Sequence, residues 1–244
     1  MDRLVYTALT GLQRAQESQA VTANNLANAG TPGFRREMAA LSAGFLGPAG
    51  MSLPTRAQSG GESPHDLLNA GRIEETGNQL DLAMDGGAWL TVADATGAEA
   101  LTRRGDLRIT ADGRLCTGDG RQLVGEDGPI QIATGFQALR IARNGAIETR
   151  AADDAPYVQV ARLKLVTPAP ETLTRGADGL FRAPLAEADD TATVTVGALE
   201  RSNVEPAAAL VELVEQSRRF EMQTRLITTA REMDEASASL MRIQ

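Results

Sequence analysis

Hydrophobic residues follow a helical period at both ends of the chain and a two-residue period through its middle. Residues 3–28 carry Leu4, Val5, Leu9, Leu12, Ala20, Ala23 and Leu26 without a proline, and the lone Gly11 is tolerable in a helix. On a heptad reading Val5, Leu9, Leu12, Ala23 and Leu26 form one seam, which Gln16 and Gln19 interrupt with polar groups. The run Asn28-Ala29-Gly30-Thr31-Pro32-Gly33 should stop this helix. Asn or Gly accepts a left-handed C-cap, and Pro32 cannot continue the hydrogen-bond ladder.

From about residue 72 to 200 the alternation is that of strands: Leu80, Leu82 and Met84; Leu107 and Ile109; Ile130 and Ile132; Leu163 and Leu165; Val194 and Val196. Asx-Gly pairs punctuate it at Asp85-Gly86, Asp112-Gly113, Asp119-Gly120, Asp127-Gly128, Asn144-Gly145 and Asp178-Gly179. Such pairs supply the positive φ of two-residue hairpin turns, so the middle reads as an antiparallel sandwich or barrel-like domain. Between helix and strands, residues 40–65 are broken by Gly and Pro, which predicts a linker or extended arm with Phe45, Leu46 and Met51 as docking points.

Beyond Pro206, tolerated in a first helical turn, no Pro or Gly occurs before the end at Gln244. Leu210, Leu213, Val214, Phe220, Ile227, Ala230, Met233, Leu240 and Met241 supply a drifting apolar stripe. A helix of this length spans roughly 60 Å at 1.5 Å per residue, more than a domain of this size is wide. It must pack against something beyond the β domain, either the N-terminal helix or other molecules. The expected class is α+β, with long N- and C-terminal helices pairing as a coiled coil around a central antiparallel β-rich domain. The boundaries read as 1–39 plus 203–244 for a discontinuous helical part, 40–71 for the arm and 72–202 for the β part.

Composition narrows the chemistry. The net charge of −8 and an aromatic share of 3% leave neither a positive field nor a stacking platform for nucleic acid. A single cysteine, Cys116, excludes intrachain disulfides and multi-cysteine zinc sites. A single histidine, His65, excludes metal centres that need two imidazoles and sits in a loop-like segment ill suited to a catalytic triad. The acidic doublets Glu74-Glu75, Asp153-Asp154 and Asp189-Asp190 read as solvated strand and turn acids, not as a glycosidase pair. No nucleotide-binding glycine motif, apolar run long enough for a membrane span, or cleaved signal peptide is visible. No catalytic residue, metal ligand or cofactor is expected.

The termini carry a resemblance. Ala23-Asn24-Asn25-Leu26-Ala27-Asn28 followed by Thr31-Pro32-Gly33-Phe34 resembles the N-terminal signature of the flagellar rod, hook and hook-filament junction family. Ser202-Asn203-Val204-Glu205-Pro206, with Phe220-Glu221-Met222-Gln223, is similar to its C-terminal one. The opening Met1-Asp2-Arg3-Leu4-Val5-Tyr6-Thr7-Ala8 and the stretches Leu80–Met84, Arg162–Val166, Gly179–Arg182 and Gly197–Glu200 look most like a proximal rod member.

The resemblance implies a structural subunit, exported through the flagellar type III apparatus without signal cleavage. Its terminal helices would line the channel of a rod crossing the periplasm, with the β domain outside. It implies other copies of the chain, neighbouring rod proteins and the export apparatus as partners, with no nucleic acid and no membrane span. The expected polymerisation interface is Leu4, Val5, Leu9, Leu12 and Leu26 packed on Leu210, Leu213, Val214, Phe220 and Ile227 or their equivalents in neighbours. Asn24, Asn25 and Asn28 either bond between helices in the assembled tube or serve as helix surface and C-cap. The alternatives are a distal rod or hook subunit, and a secreted carbohydrate- or peptidoglycan-binding β module.

Overall fold

A computed structural model describes residues 2–38, 68–133, 135–184 and 187–241, with side chains outside 2–10, 230 and 234–241. Leu4, Val5 and Leu9, the docking residues Phe45, Leu46 and Met51, His65, and the tail residues Ala230, Leu240 and Met241 therefore lie outside the described side chains. Two compact units emerge. One holds residues 2–29, 36–38 and 204–241, and the other holds 30–35 and 68–203.

The first unit is helical. α1 (Asp2–Ala27) ends where the sequence predicts, and α2 (Pro206–Met241) begins at its proline. Gly30 is not left-handed; Gly33, with φ 67°, is. Among the described residues, no helix is long and apolar enough to cross a membrane.

The second unit is built from short strands: β1 (Ile73–Glu75), β2 (Leu82–Met84), β3 (Trp89–Ala93), β4 (Glu99–Thr102), β5 (Leu107–Ile109), β6 (Leu115–Thr117), β7 (Val124–Gly125) and β8 (Gly128–Pro129). They continue with β9 (Ala138–Ile141), β10 (Ala146–Arg150), β11 (Val158–Arg162), β12 (Leu165–Val166), β13 (Thr174–Arg175), β14 (Phe181–Arg182), β15 (Val194–Val196) and β16 (Ala198–Glu200). The sheets are small: β12-β3-β4-β14-β13, β11-β10-β9, and the pairs β1-β16, β15-β2, β5-β6 and β7-β8. Every strand pairing is antiparallel. One core joins them, in which Leu82, Leu90, Leu115, Leu123, Ile147 and Val194 are fully buried. Trp89 stacks obliquely on Phe181, ring centroids 4.8 Å apart, in a second, smaller cluster.

All six predicted Asx-Gly glycines have positive φ. Two residues, Glu126 and Asp127, join β7 to β8, but four of the other predicted turns differ from the expected two-residue type. In Asp94–Ala98, Thr110–Arg114, Thr117–Arg121, Ala142–Ala146 and Gly176–Leu180 the first residue's carbonyl accepts from the glycine N–H at the fourth, and its own N–H donates to the fifth. This is the three-residue hairpin loop with glycine in the left-handed position. The fourth residue needs only positive φ, so Thr96-Gly97 serves as well as Asp-Gly and escapes an Asx-Gly search.

Carboxylates tie these turns together. Arg182 donates to Asp94 and Asp178, each at 2.8 Å, and Arg121 donates to Asp119 at 2.9 Å. The Thr96 hydroxyl and Arg182 hold the Asp94 carboxyl well below the ordinary carboxylate range, and Arg182 lowers Asp178. Hydroxyls of Thr167 and Thr191 bring Asp189 down to about 2. These groups bind a proton less readily folded than unfolded. Their stabilisation is complete above about pH 4 and is lost as pH falls towards 2. Near-ultraviolet circular dichroism of Trp89 should therefore hold to about pH 4 and decay below it. Loss of the signal between pH 6 and 5 would contradict this account.

Candidate assembly interface

The two helices run side by side and antiparallel. The Gln216 amide of α2 donates to Ser18 Oγ at 3.0 Å and Thr22 Oγ1 at 2.9 Å of α1, while further along α2 Gln223 faces Gly11. Gln216 also donates to Glu212 Oε1 at 3.1 Å, and Glu212 Oε2 takes Arg36 at 3.1 Å. The seam between the helices is polar at this level. Thr22, Asn25 and Gln216 are buried, Leu12 and Leu26 are half-buried at its flank, and Ala23 is exposed. The heptad seam read through Ala23 is thus rotated. The cause is the Gln216 amide, which satisfies the hydroxyls of Thr22 and Ser18 and turns their face inward.

Apolar residues of α2 lie on two opposed sides. Ala209, Leu213, Phe220 and Ile227 share the Gln216 side and are buried or half-buried. Val211, Met222, Leu226 and Met233 fall within about 60° of one another on the other side at 100° per residue. All four are more than half exposed, 67% for Leu226. Leu210 and Val214, expected to pack on α1 or on its equivalents in neighbours, are exposed in the single chain as well.

Within the single chain Asn25 is neither helix surface nor C-cap. Its Nδ2 donates to the Glu37 carbonyl and its Oδ1 accepts from the Glu37 N–H, both at 2.7 Å. A buried side chain therefore imitates a strand partner and pins the segment after the helix. Asn28 donates back to the Asn24 carbonyl at 3.0 Å, closing the last turn, and Asn24 is exposed. Asn25→Ala should cost about 1–3 kcal/mol, because the Glu37 polar groups lose their partner. Amide exchange at Glu37 reports it directly: accelerated in the variant if the clamp matters, unchanged if it does not.

In the β unit a buried ion cluster holds residues 30–35. β16 alternates, so Ala198 and Glu200 both face inward and a carboxylate is forced into the interior. Glu200 Oε2 accepts from Arg103 Nε at 2.6 Å, and its Oε1 accepts from Arg35 and from the Gly71 N–H. Arg103 donates three of its other N–H groups to the carbonyls of Met84, Gly86 and Ala88. Burial and the neighbouring Arg103 lower Arg35 to about 10 against the pull of Glu200, leaving it charged at neutral pH. Gly33 makes the approach possible. Its N–H donates to the Glu200 carbonyl at 2.7 Å, and a Cβ there would meet the Arg103 carbonyl oxygen at 2.1 Å. None of these three charged residues was evident from the sequence; the one signal was an acid at an inward strand position.

The acidic doublets are surface features. Glu74 pairs with Arg201, Asp153 with Arg150 and Asp190 with Arg162, each acid in an exposed position. Among the described residues no cluster of acids, His or Cys is placed to hold a metal ion.

Three segments match family models. Residues 5–35 match "Flagella basal body rod protein", 83–149 the "Flagellar hook protein FlgE/F/G D1 domain", and 195–240 the "Flagellar basal body rod FlgEFG protein C-terminal". The flagellar basal-body rod protein FlgF of Escherichia coli K12 is 39% identical over 240 residues, covering 94% of each chain. That of Salmonella typhimurium LT2 is 36% identical over 252 residues, covering 99% of each. The chain belongs to the flagellar basal-body rod protein FlgF family. A rod protein FlgG of Agrobacterium fabrum, 30% identical over 255 residues and 95% of this chain, is a further relative.

FlgF-family membership places the chain among structural components of the basal-body rod, not among enzymes. It also gives the buried cluster a context. Arg35, Arg103 and Glu200 come one from each of the three matched segments, so the charges join the parts that define the family.

Proposed function

We infer that this FlgF-family chain is a proximal-rod subunit that polymerises through its terminal helices, residues 1–39 with 203–244, into the torque-transmitting axial tube. The reading assigns the polymerisation contacts to Leu4, Val5, Leu9, Leu12, Asn24, Asn25, Leu26, Asn28, Leu210, Leu213, Val214, Phe220 and Ile227. Within it the helices act as a coiled-coil inner layer, residues 72–202 lie outside, and the subunit reaches its place through the flagellar export apparatus. Its partners are other copies of itself and neighbouring rod proteins, joined by head-to-tail contacts that do not close into a ring.

The observation that supports this most is the two-sided apolar character of α2. One side packs on α1, and the opposite side, with Val211, Met222, Leu226 and Met233, is exposed in a single chain. A helix apolar on both sides is fitted to be covered on both. Leu226→Glu combined with Val211→Glu should leave helical content and β-unit unfolding unchanged while cells carrying it lose rods and motility. Normal rods in that strain would refute the assignment.

A further inference from the structure

α2 carries the two most open sulfur atoms among the described residues. Met222 is 57% exposed and Met233 60%, whereas Met84 of β2 and Cys116 are buried and Met38 is half-buried. Met233 lies eleven residues beyond Met222, and Met222 eleven beyond Val211. Eleven residues make three helical turns and about 20°. Both thioethers therefore stand almost in line, about 17 Å apart, on the exposed apolar side that also holds Leu226.

A thioether is apolar enough for an apolar contact, yet it is the one kind of side chain on this side that an oxidant changes readily. Hydrogen peroxide transfers one oxygen atom to the sulfur. The O–O bond breaks, a sulfur lone pair forms the S–O bond, the sulfur loses two electrons and the peroxide is reduced to water. The product is a polar sulfoxide with a strong acceptor oxygen. Val211 and Leu226, beside it on the helix, offer that oxygen no donor, so covering it is costly.

We propose that Met222 and Met233 make assembly of this subunit sensitive to oxidation: with both reduced this side of α2 is covered by neighbours, and with either as the sulfoxide it is not. The proposal rests on the reading that this side is covered in the rod. It adds two consequences. Subunits are open to peroxide before they are built in and shielded afterwards. The block is also reversible, because a thiol-dependent sulfoxide reductase restores the thioether.

Peroxide treatment of the purified full-length chain, followed by peptide mass spectrometry, should oxidise Met222 and Met233 at least about tenfold faster than Met84. Comparable rates would overturn the proposal. In cells making the chain from an inducible copy, Met222→Gln/Met233→Gln imitates the sulfoxide and should build no rods. Met222→Leu/Met233→Leu keeps the apolar volume and resists oxidation. Induced during a peroxide pulse, the Leu variant should build several-fold more rods than the parent, since damage to other proteins is common to both strains. Equal losses in the two strains would overturn the proposal, as would normal rods from the Gln variant. A further measurement needs no variant: parent rods built during the pulse should hold less sulfoxide at Met222 and Met233 than unassembled chains from the same cells, and equal content would also overturn it. Leu226→Glu with Val211→Glu changes no methionine and judges the covering by itself. Loss of rods there, with parent assembly indifferent to peroxide, would refute the switch and leave the covered side standing.

Discussion

Glu200→Ala is expected to destabilise the β unit by about 3–5 kcal/mol, enough to remove much of a domain's stability. The carboxylate is the single anion between two buried guanidiniums, those of Arg35 and Arg103, each of whose side chains is at most 3% exposed. Removing it leaves two positive charges facing each other in the interior. It also strips the Gly71 N–H of its acceptor. Urea unfolding followed by the fluorescence of Trp89, the sole tryptophan, reads this unit specifically.

Arg35→Met should cost less than Glu200→Ala, because the remaining Arg103–Glu200 pair is complete and Arg103 keeps its three carbonyl partners. The double variant Arg35→Met/Glu200→Ala should be less destabilised than the sum of the two singles, since removing Arg35 relieves the repulsion that the loss of Glu200 creates. Strict additivity would mean that the three groups do not act together. An effect of Glu200→Ala below about 1 kcal/mol would mean that water reaches the cluster.

Phe220→Asp should abolish assembly and leave the β unit intact. Phe220 is half-buried on the Gln216 side of α2, between Leu213 and Ile227. An aspartate there loses apolar contact and places an unpaired charge at the seam, about 2–4 kcal/mol against helix pairing. Trp89-detected unfolding should be unaffected, because the residue lies outside the β unit. Cells carrying the variant should lack rods and be non-motile. Full motility would show that this side of α2 has no part in building the rod.

Local pattern made the elements legible, and distance hid the charges. Helix limits followed from Pro206 and from the Asn28–Gly33 run because each acts on its own backbone. The six Asx-Gly glycines were found for the same reason, although the loop type at four of them was not, since loop length depends on how the flanking strands pair. Strand alternation located Leu82, Leu107, Ile130 and Val194 in the core, and the same alternation applied to β16 would have flagged Glu200. Its partners could not follow: Arg103 lies 97 residues away, and nothing local distinguishes it or Arg35 from the many exposed arginines. The intrachain partner of Asn25 was not legible, because it is the backbone of Glu37, which carries no side-chain signal. Apolar periodicity could not anticipate that Gln216, Thr22 and Ser18 close the contact between α1 and α2.

On the proposed reading, the rod is built through the terminal helices. A side-chain-resolution electron-microscopy map of the basal body from the source cells tests it most directly. Val211, Met222, Leu226 and Met233 should be covered by helices of neighbouring subunits, with the β unit on the outside of the tube. Terminal helices left uncovered on that side, or neighbours joined only through β units, would contradict it.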